Sequence, residues 1–248
     1  MAGIGRLRAS DLLASTQLSS SLRLQAVVFD MDGVIVDSHP AHRLAWREFL
    51  RALGKEVPDS ELDFIFDGRK REEILVHFLG PLCPAQLEQY GRIKDDLFWQ
   101  VASEIVPVPG VFEFIECLCD ARIALAVATS ASAGRTHSIL KRTGLLTHFR
   151  AVITGEEVRK GKPDPSIYRL ACERIGCAPN AAVAVEDTAS GILAAKEAGL
   201  RCVGIAGSKS EEHLTAAGAD CVLRDFVNLT LGKFHSLVGM QPHQPHLV

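Results

Sequence analysis

Short apolar runs, each set off from the next by a helical pattern, constrain this chain more than any other feature. Leu24–Phe29, Ile123–Ala128, Ala151–Ile153, Ala182–Val185, Cys202–Ile205 and Cys221–Leu223 read as strands. They read as nearly continuous apolar stretches instead of alternating, as strands buried on both faces do. From the second onward a helical stretch separates each from the next. That order specifies a parallel sheet with helices on both faces. Gly144, Gly176, Gly199 and Gly218 each follow a helical stretch, where a left-handed residue ends a helix. The expected fold is α/β, with a Rossmann-like parallel sheet core.

One segment breaks the alternation. Between Asp37 and Val108 the periodicity is helical and no strand is evident. Leu44, Ala45, Phe49 and Leu53 recur at helical spacing, and further helices are expected over Ser60–Phe66, Arg71–Leu79 and Pro84–Ser103. This block reads as an inserted α-helical cap, with Pro107–Gly110 as the return linker. The expected organisation is an N-terminal extension (1–23), an α/β core (24–37 and 108–233), a helical cap (38–107) and a flexible C-terminal tail rich in His, Pro and Gln (234–248). The extension carries Arg6, Arg8 and Arg23, several Ser and one acid, Asp11. It has the composition of a transit peptide in outline, but a short frayed segment is the preferred reading.

Composition sets outer limits. A chain of 248 residues, 47% hydrophobic and 23% charged, buries a core without disulfides or structural metals. A formal net charge of -3 gives no basic field for nucleic acid, and no apolar run reaches the length of a membrane span. The cysteines number seven, an odd count without a Cys-x-x-Cys pair. They read as small core hydrophobes of a reducing compartment, hence a cytoplasmic location.

Ligands of open parallel sheets bind beyond the carboxyl ends of the strands, so the residues that follow each strand matter most. Asp30 and Asp32 follow the first, Thr129 and Ser130 the second, Lys160 and Lys162 the third, and Glu186 and Asp187 the fourth. Taken singly, these are a common short motif, a helix cap, a surface loop and a second cap. Taken together they bring four carboxylates to one edge. Crowded carboxylates resist ionising together unless a hard cation bridges them, and oxygen ligands suit Mg²⁺. Asp30 and Asp187 are the first expected ligands, with Glu186 in the first or second shell and Asp32 contributing its backbone carbonyl.

These residues resemble the motifs of the haloacid dehalogenase superfamily of aspartyl-phosphate phosphotransferases: Asp30-Met31-Asp32-Gly33-Val34, Thr129, Lys162 within Gly161-Lys162-Pro163-Asp164-Pro165, and Glu186-Asp187. The resemblance runs from Gln25 to about Asp225, and the helical insert is similar to the cap of the subclass containing phosphoglycolate phosphatase and β-phosphoglucomutase. It implies that Asp30 is the covalent nucleophile, that Asp32 protonates the leaving oxygen and then activates water, and that Mg²⁺ neutralises charge. It implies also that Thr129 and Lys162 hold the transferring phosphoryl group. Haloacid dehalogenases and phosphonoacetaldehyde hydrolases lack the second aspartate, so Asp32 disfavours carbon–halogen and carbon–phosphorus cleavage.

The leaving group falls to the cap. His42, in His39–Trp46, resembles a histidine that couples cap closure to acid–base catalysis in the β-phosphoglucomutase-like branch. Arg71 resembles its substrate-phosphate arginine and Lys94 a sugar-contacting lysine, while Ser130 is a further substrate candidate. Three readings stay open: a phosphatase of a small phosphorylated metabolite, a hexose-phosphate mutase, and a catalytically idle binding protein. A monomer or small homo-oligomer fits all three.

Overall fold

The structure is a computed structural model that describes residues 23–102, 106–207 and 209–241. In chain order the strands are β1 (Ala26–Phe29), β2 (Val36–Asp37), β3 (Val106–Pro107), β4 (Ala124–Ala128), β5 (Ala151–Ile153), β6 (Ala182–Glu186), β7 (Arg201–Ile205) and β8 (Cys221–Leu223). Six of them form one sheet in the order β5-β4-β1-β6-β7-β8, and every pairing in it is parallel. The expected α/β sheet is therefore present. The chain leaves β1 for β4 on one side and later returns to β6 on the other. Strand order reverses beside β1, and the crevice for a ligand opens at its carboxyl end.

Successive side chains of a strand face opposite ways, and here the two faces differ in bulk. Val27 and Phe29 join Leu125, Val127, Val183 and Val185 in one apolar cluster. Ala26 and Val28 join Ala126, Ala128, Ala182 and Ala184 in another. The bulky face packs against Phe114, Ile115 and Leu118, where Phe29 meets Phe114 edge-on at 6.5 Å between centroids. The alanine face lets Tyr168, Ala171, Ala194 and Ala195 come close to the sheet. Each fully buried large apolar side chain contributes about 1.5–3 kcal/mol.

The inserted segment is helical: α1 (His39–Ala52), α2 (Asp59–Leu62), α3 (Arg71–Leu79) and α4 (Pro84–Val101). Trp46, Phe49, Leu50, Leu62, Phe66, Leu75 and Phe78 form its own cluster, separate from the two that flank the sheet. Two details differ from the sequence reading. The expected helix Ser60–Phe66 is split into α2 and a 3-10 turn, Asp63–Phe66. Where no strand was expected, β2 and β3 pair antiparallel at the base of the insertion. A two-residue strand has no periodicity to read.

The expected C-terminal tail is also corrected. The helix Leu231–Val238 runs into it, and Phe234, Val238 and Met240 are buried. Phe234 and Val238 lie one turn apart, and Phe234 packs on Phe114 at 5.0 Å. Chemistry did not mark this face; apolar spacing did, and the His/Pro composition around it masked the signal. The backbone N–H of Leu24 donates to Gln241 (3.1 Å). The N-terminal extension up to residue 22 and the tail from residue 242 lie outside the described residues. Of the free cysteines, Cys172 and Cys202 are buried as expected, whereas Cys83 is exposed.

Candidate active site

Beyond Phe29 the strand continues by one hydrogen bond, from the Asp30 N–H to the Val185 carbonyl (2.9 Å). The chain then closes on itself: Ile35 N–H (2.9 Å) and Val36 N–H (3.1 Å) both donate to the Met31 carbonyl. Gly33 takes φ +78° in this loop, and a Cβ there would overlap the Asp187 carboxylate and the His39 ring. Only glycine satisfies both demands. The loop turns Asp30 toward the end of β6, where ligand oxygens of Asp30, Glu186 and Asp187 lie within 4.8 Å of one another.

Lys162 reaches this cluster from the loop after β5. Its Nζ donates to Asp30 Oδ1 (2.9 Å), Glu186 Oε1 (2.5 Å) and the Ala128 carbonyl (3.1 Å). Burial disfavours its charge, but Asp30 and Glu186 outweigh that and raise its pKa. Glu186 is saturated: Oε1 also accepts from the Tyr168 hydroxyl (2.6 Å), and Oε2 accepts from the Asp187 N–H (3.1 Å) and from Thr188 N–H (3.3 Å) and Oγ1 (3.0 Å). Gly191 permits this, because a Cβ there would overlap the Glu186 carboxylate.

Asp187 is the opposite case. It is 0% exposed, yet neither of its carboxylate oxygens has a hydrogen-bond partner. Burial, then Glu186 and Asp30, push its pKa well above the ordinary value. Burial pushes Asp30 up to about 7, with Lys162 opposing and Glu186 and Asp32 adding to the rise. Of the three carboxylates, Lys162 bonds Asp30 and Glu186 and leaves Asp187 unpaired. An orphaned buried carboxylate beside another is the donor set of a hard divalent cation, and these residues fit Mg²⁺.

Asp32 turns away from that cluster. Arg135 NH1 donates to Oδ1 and NH2 to Oδ2, both at 2.8 Å, and Ser38 Oγ donates to Oδ1 (2.5 Å). Burial would raise the Asp32 pKa, but Arg135 and then His42 outweigh it and hold the carboxyl well below the usual range. Both Asp32 carboxylate oxygens are thus committed to a buried guanidinium, which leaves its backbone carbonyl as the group expected beside a metal.

The cap residues meet the same crevice. His42 Nε2 lies 2.9 Å from Arg135 NH1 and 3.4 Å from Asp32 Oδ1. His42 Nδ1 lies 3.0 Å from Lys94 Nζ. Lys94 is 3% exposed, and its Nζ stands 5.5 Å and 5.3 Å from the Trp46 and Phe98 ring centroids. Burial, then Arg135, lower its pKa to about 7. Burial and the cations Lys94 and Arg135 hold His42 well below its ordinary value. Arg71 lines the crevice but is already paired with Asp95 (2.6 Å) and Glu72 (3.3 Å). Ser130 also lines the crevice, and its hydroxyl donates to the Gly68 carbonyl (2.5 Å), tying core to cap. Thr129 is 1% exposed, lines the crevice, and accepts from the Ala131 N–H (3.2 Å).

A family model described as haloacid dehalogenase-like hydrolase matches residues 27–205. The chain belongs to this family. Among curated relatives, the validoxylamine A 7'-phosphate phosphatase of Streptomyces hygroscopicus subsp. limoneus is 33% identical, the match covering 83% of this chain and 95% of the relative. The β-phosphoglucomutase of Bacillus subtilis (strain 168) is 29% identical over 86% of this chain and 94% of the relative. Among solved structures, CbbY from Rhodobacter sphaeroides in complex with phosphate is similar with a TM-score of 0.76 and 31% identity, covering 85% of this chain and 98% of that one. Among the described residues of this family member, no helix is long and apolar enough to cross a membrane.

The sequence reading missed Arg135, Asp95, Ser132, Tyr168 and His39. Arg135 did leave a trace. It occupies the buried stripe of the helix Ala133–Arg142 beside Thr136 and Ile139, and a charge on an apolar stripe calls for a partner. Tyr168 left none, because an aromatic on a buried helix face reads as core.

Proposed function

We propose that the protein is a Mg²⁺-dependent phosphatase of small phosphate monoesters, of sugar-phosphate type, acting through an aspartyl phosphate on Asp30. The observation that carries this reading is the orphaned Asp187 carboxylate beside Asp30, with Lys162 bonded to Asp30 at the crossover crevice. Relatives named for a phosphate-ester phosphatase and a phosphoglucomutase support the substrate class. Free cysteines fit a reducing compartment such as the cytoplasm.

Asp30 and Asp187 would hold Mg²⁺, with the Asp32 backbone carbonyl beside them and Glu186 bracing Lys162 from behind. The bound ion supplies positive charge that keeps Asp30 ionised and neutralises the phosphoryl oxygens. An Asp30 oxygen attacks phosphorus as the bond to the leaving oxygen breaks, and Asp32 delivers a proton to that oxygen. Water then attacks the same phosphorus, the bond to Asp30 breaks, and Asp32 takes the proton. Lys162 and Thr129 hold the transferring group in place. In the arrangement described, Arg135 keeps Asp32 ionised, the state that accepts the proton from water. The acid role requires that pair to loosen when a leaving group enters. Residues 38–107 act as the cover over the crevice, with His42 and Lys94 set toward the leaving group.

The test is a panel of phosphate esters with Mg²⁺, assayed for free phosphate beside isomerised sugar phosphate. Phosphate release that Asp30→Asn abolishes supports the reading. Isomer without free phosphate favours the mutase instead, the second reading that the β-phosphoglucomutase relative brings. Equal inertness of wild type and Asp30→Asn on a broad panel favours a binding protein.

A further inference from the structure

His39 opens the cap helix α1, two residues beyond the β2–β3 ribbon on which the insertion stands. Its Nε2 lies 3.3 Å from Asp187 Oδ2. The ring is tucked against Phe66, another cap residue, at 4.8 Å between centroids. The side chain is 15% exposed, and Gly33 leaves the gap in which ring and carboxylate meet. This is a different contact from that of His42, which faces Asp32 on the leaving-group side. His39 also lines a second cavity of about 590 Å³ beside the ribbon, so it forms a wall between that space and the crevice.

We infer that His39 is a positioning residue through which the cap senses the metal site, its imidazole bracing the Asp187 carboxylate when a divalent cation takes the other oxygen. The inference rests on the metal reading given above. Three observations carry it. Asp187 is the buried carboxylate with both oxygens orphaned. His39 reaches it at ion-pair distance, although in the arrangement described the two are not aligned as a hydrogen bond. And His39 belongs to the inserted unit, whereas Asp30, Glu186, Lys162 and Tyr168 around the cluster all come from the sheet side.

An imidazole N–H that bonds a ligating carboxylate fixes its orientation, and losing such a partner costs metal affinity roughly 10–100-fold. Because His39 stands on α1, an opening of the cap would withdraw that partner. Binding of the metal and seating of the cap then favour each other reciprocally. In the sequence His39 follows Ser38 at the start of α1, beyond the β2 strand that trails the first motif.

The experiment is titration of Mg²⁺ into the full-length protein without substrate, by calorimetry, for wild type, His39→Ala, His39→Gln and Asp187→Asn. Amide exchange across residues 39–52 is followed with and without Mg²⁺. The expected result is affinity about tenfold weaker in His39→Ala, partly restored in His39→Gln, which keeps an N–H donor. Mg²⁺ is expected to slow exchange in α1 of wild type and to leave it unchanged in His39→Ala. Wild-type affinity in His39→Ala overturns the inference and leaves the metal reading intact. So does an affinity loss in both His39 variants that tracks a lowered melting temperature, since that is a loosened fold. Absence of Mg²⁺ binding by wild type, or undiminished binding by Asp187→Asn, overturns the metal reading and the inference together.

Discussion

Arg135 and Asp32 meet through two parallel hydrogen bonds of 2.8 Å in a setting where Arg135 is 6% exposed. Such a pair is strong in geometry, and breaking it leaves a buried charge alone. Arg135→Met is expected to cost about 3 kcal/mol of stability. The double variant with Asp32→Asn should cost clearly less than the sum of the singles, a coupling that urea denaturation of the four proteins measures. Lys94 makes a pH statement. Its folded pKa of about 7 lies below the ordinary 10.5, so between those values the unfolded chain holds a proton that the folded protein lacks. Stability at this site therefore rises with pH across that window and is poorest below 7. Lys94→Met should gain about 2 kcal/mol at pH 6, a gain that shrinks as pH passes 7 toward 10. A gain independent of pH in thermal melts would remove the buried-charge account. At this scale the sequence made the acids and Thr129 legible because they follow apolar runs closely, and Lys162 through the Gly161-Lys162-Pro163 stretch in the loop after β5. It hid Arg135 and Asp95, whose meaning depends on the cap lying against the core.

Among elements, the loop that delivers Lys162 is held from the cap. Glu73 Oε1 accepts from the Gly161 N–H (3.2 Å) and Lys70 Nζ donates to the Val158 carbonyl (2.9 Å). Ser132 reaches Asp95 (2.9 Å) and Ser190 reaches the Asp67 carbonyl. The first turn of α3 thus holds the loop that carries Lys162. Glu73→Ala, which removes an acceptor worth about 1 kcal/mol, should speed amide exchange across residues 158–162 and raise KM. Unchanged exchange there would detach α3 from the loop. The strands were legible as continuous apolar runs, and α3 lies at its expected Arg71–Leu79. The β2–β3 ribbon and the helix Leu231–Val238 were not. The first is too short to show a period, and the second sits among His, Pro and Gln that resemble a tail.

Over the whole molecule, an α/β sheet supplies the charged cluster and a helical unit with its own apolar core closes over it. The net charge of the acid cluster asks for a cation: burial raises both Asp30 and Asp187, and protonated Asp30 is no nucleophile. Chelation with EDTA should abolish phosphate release, and Mg²⁺ should restore it. If activity survived exhaustive chelation, the cluster would need another explanation. A phosphoryl group on Asp30 can be detected directly. Enzyme quenched during turnover with Mg²⁺ and a phosphate ester is reduced with borohydride, which converts an acyl phosphate to homoserine, and its peptides are sequenced by mass spectrometry. Homoserine is expected at position 30, dependent on both substrate and Mg²⁺. Turnover with an unmodified Asp30, or with the label at another residue, would contradict an aspartyl phosphate there.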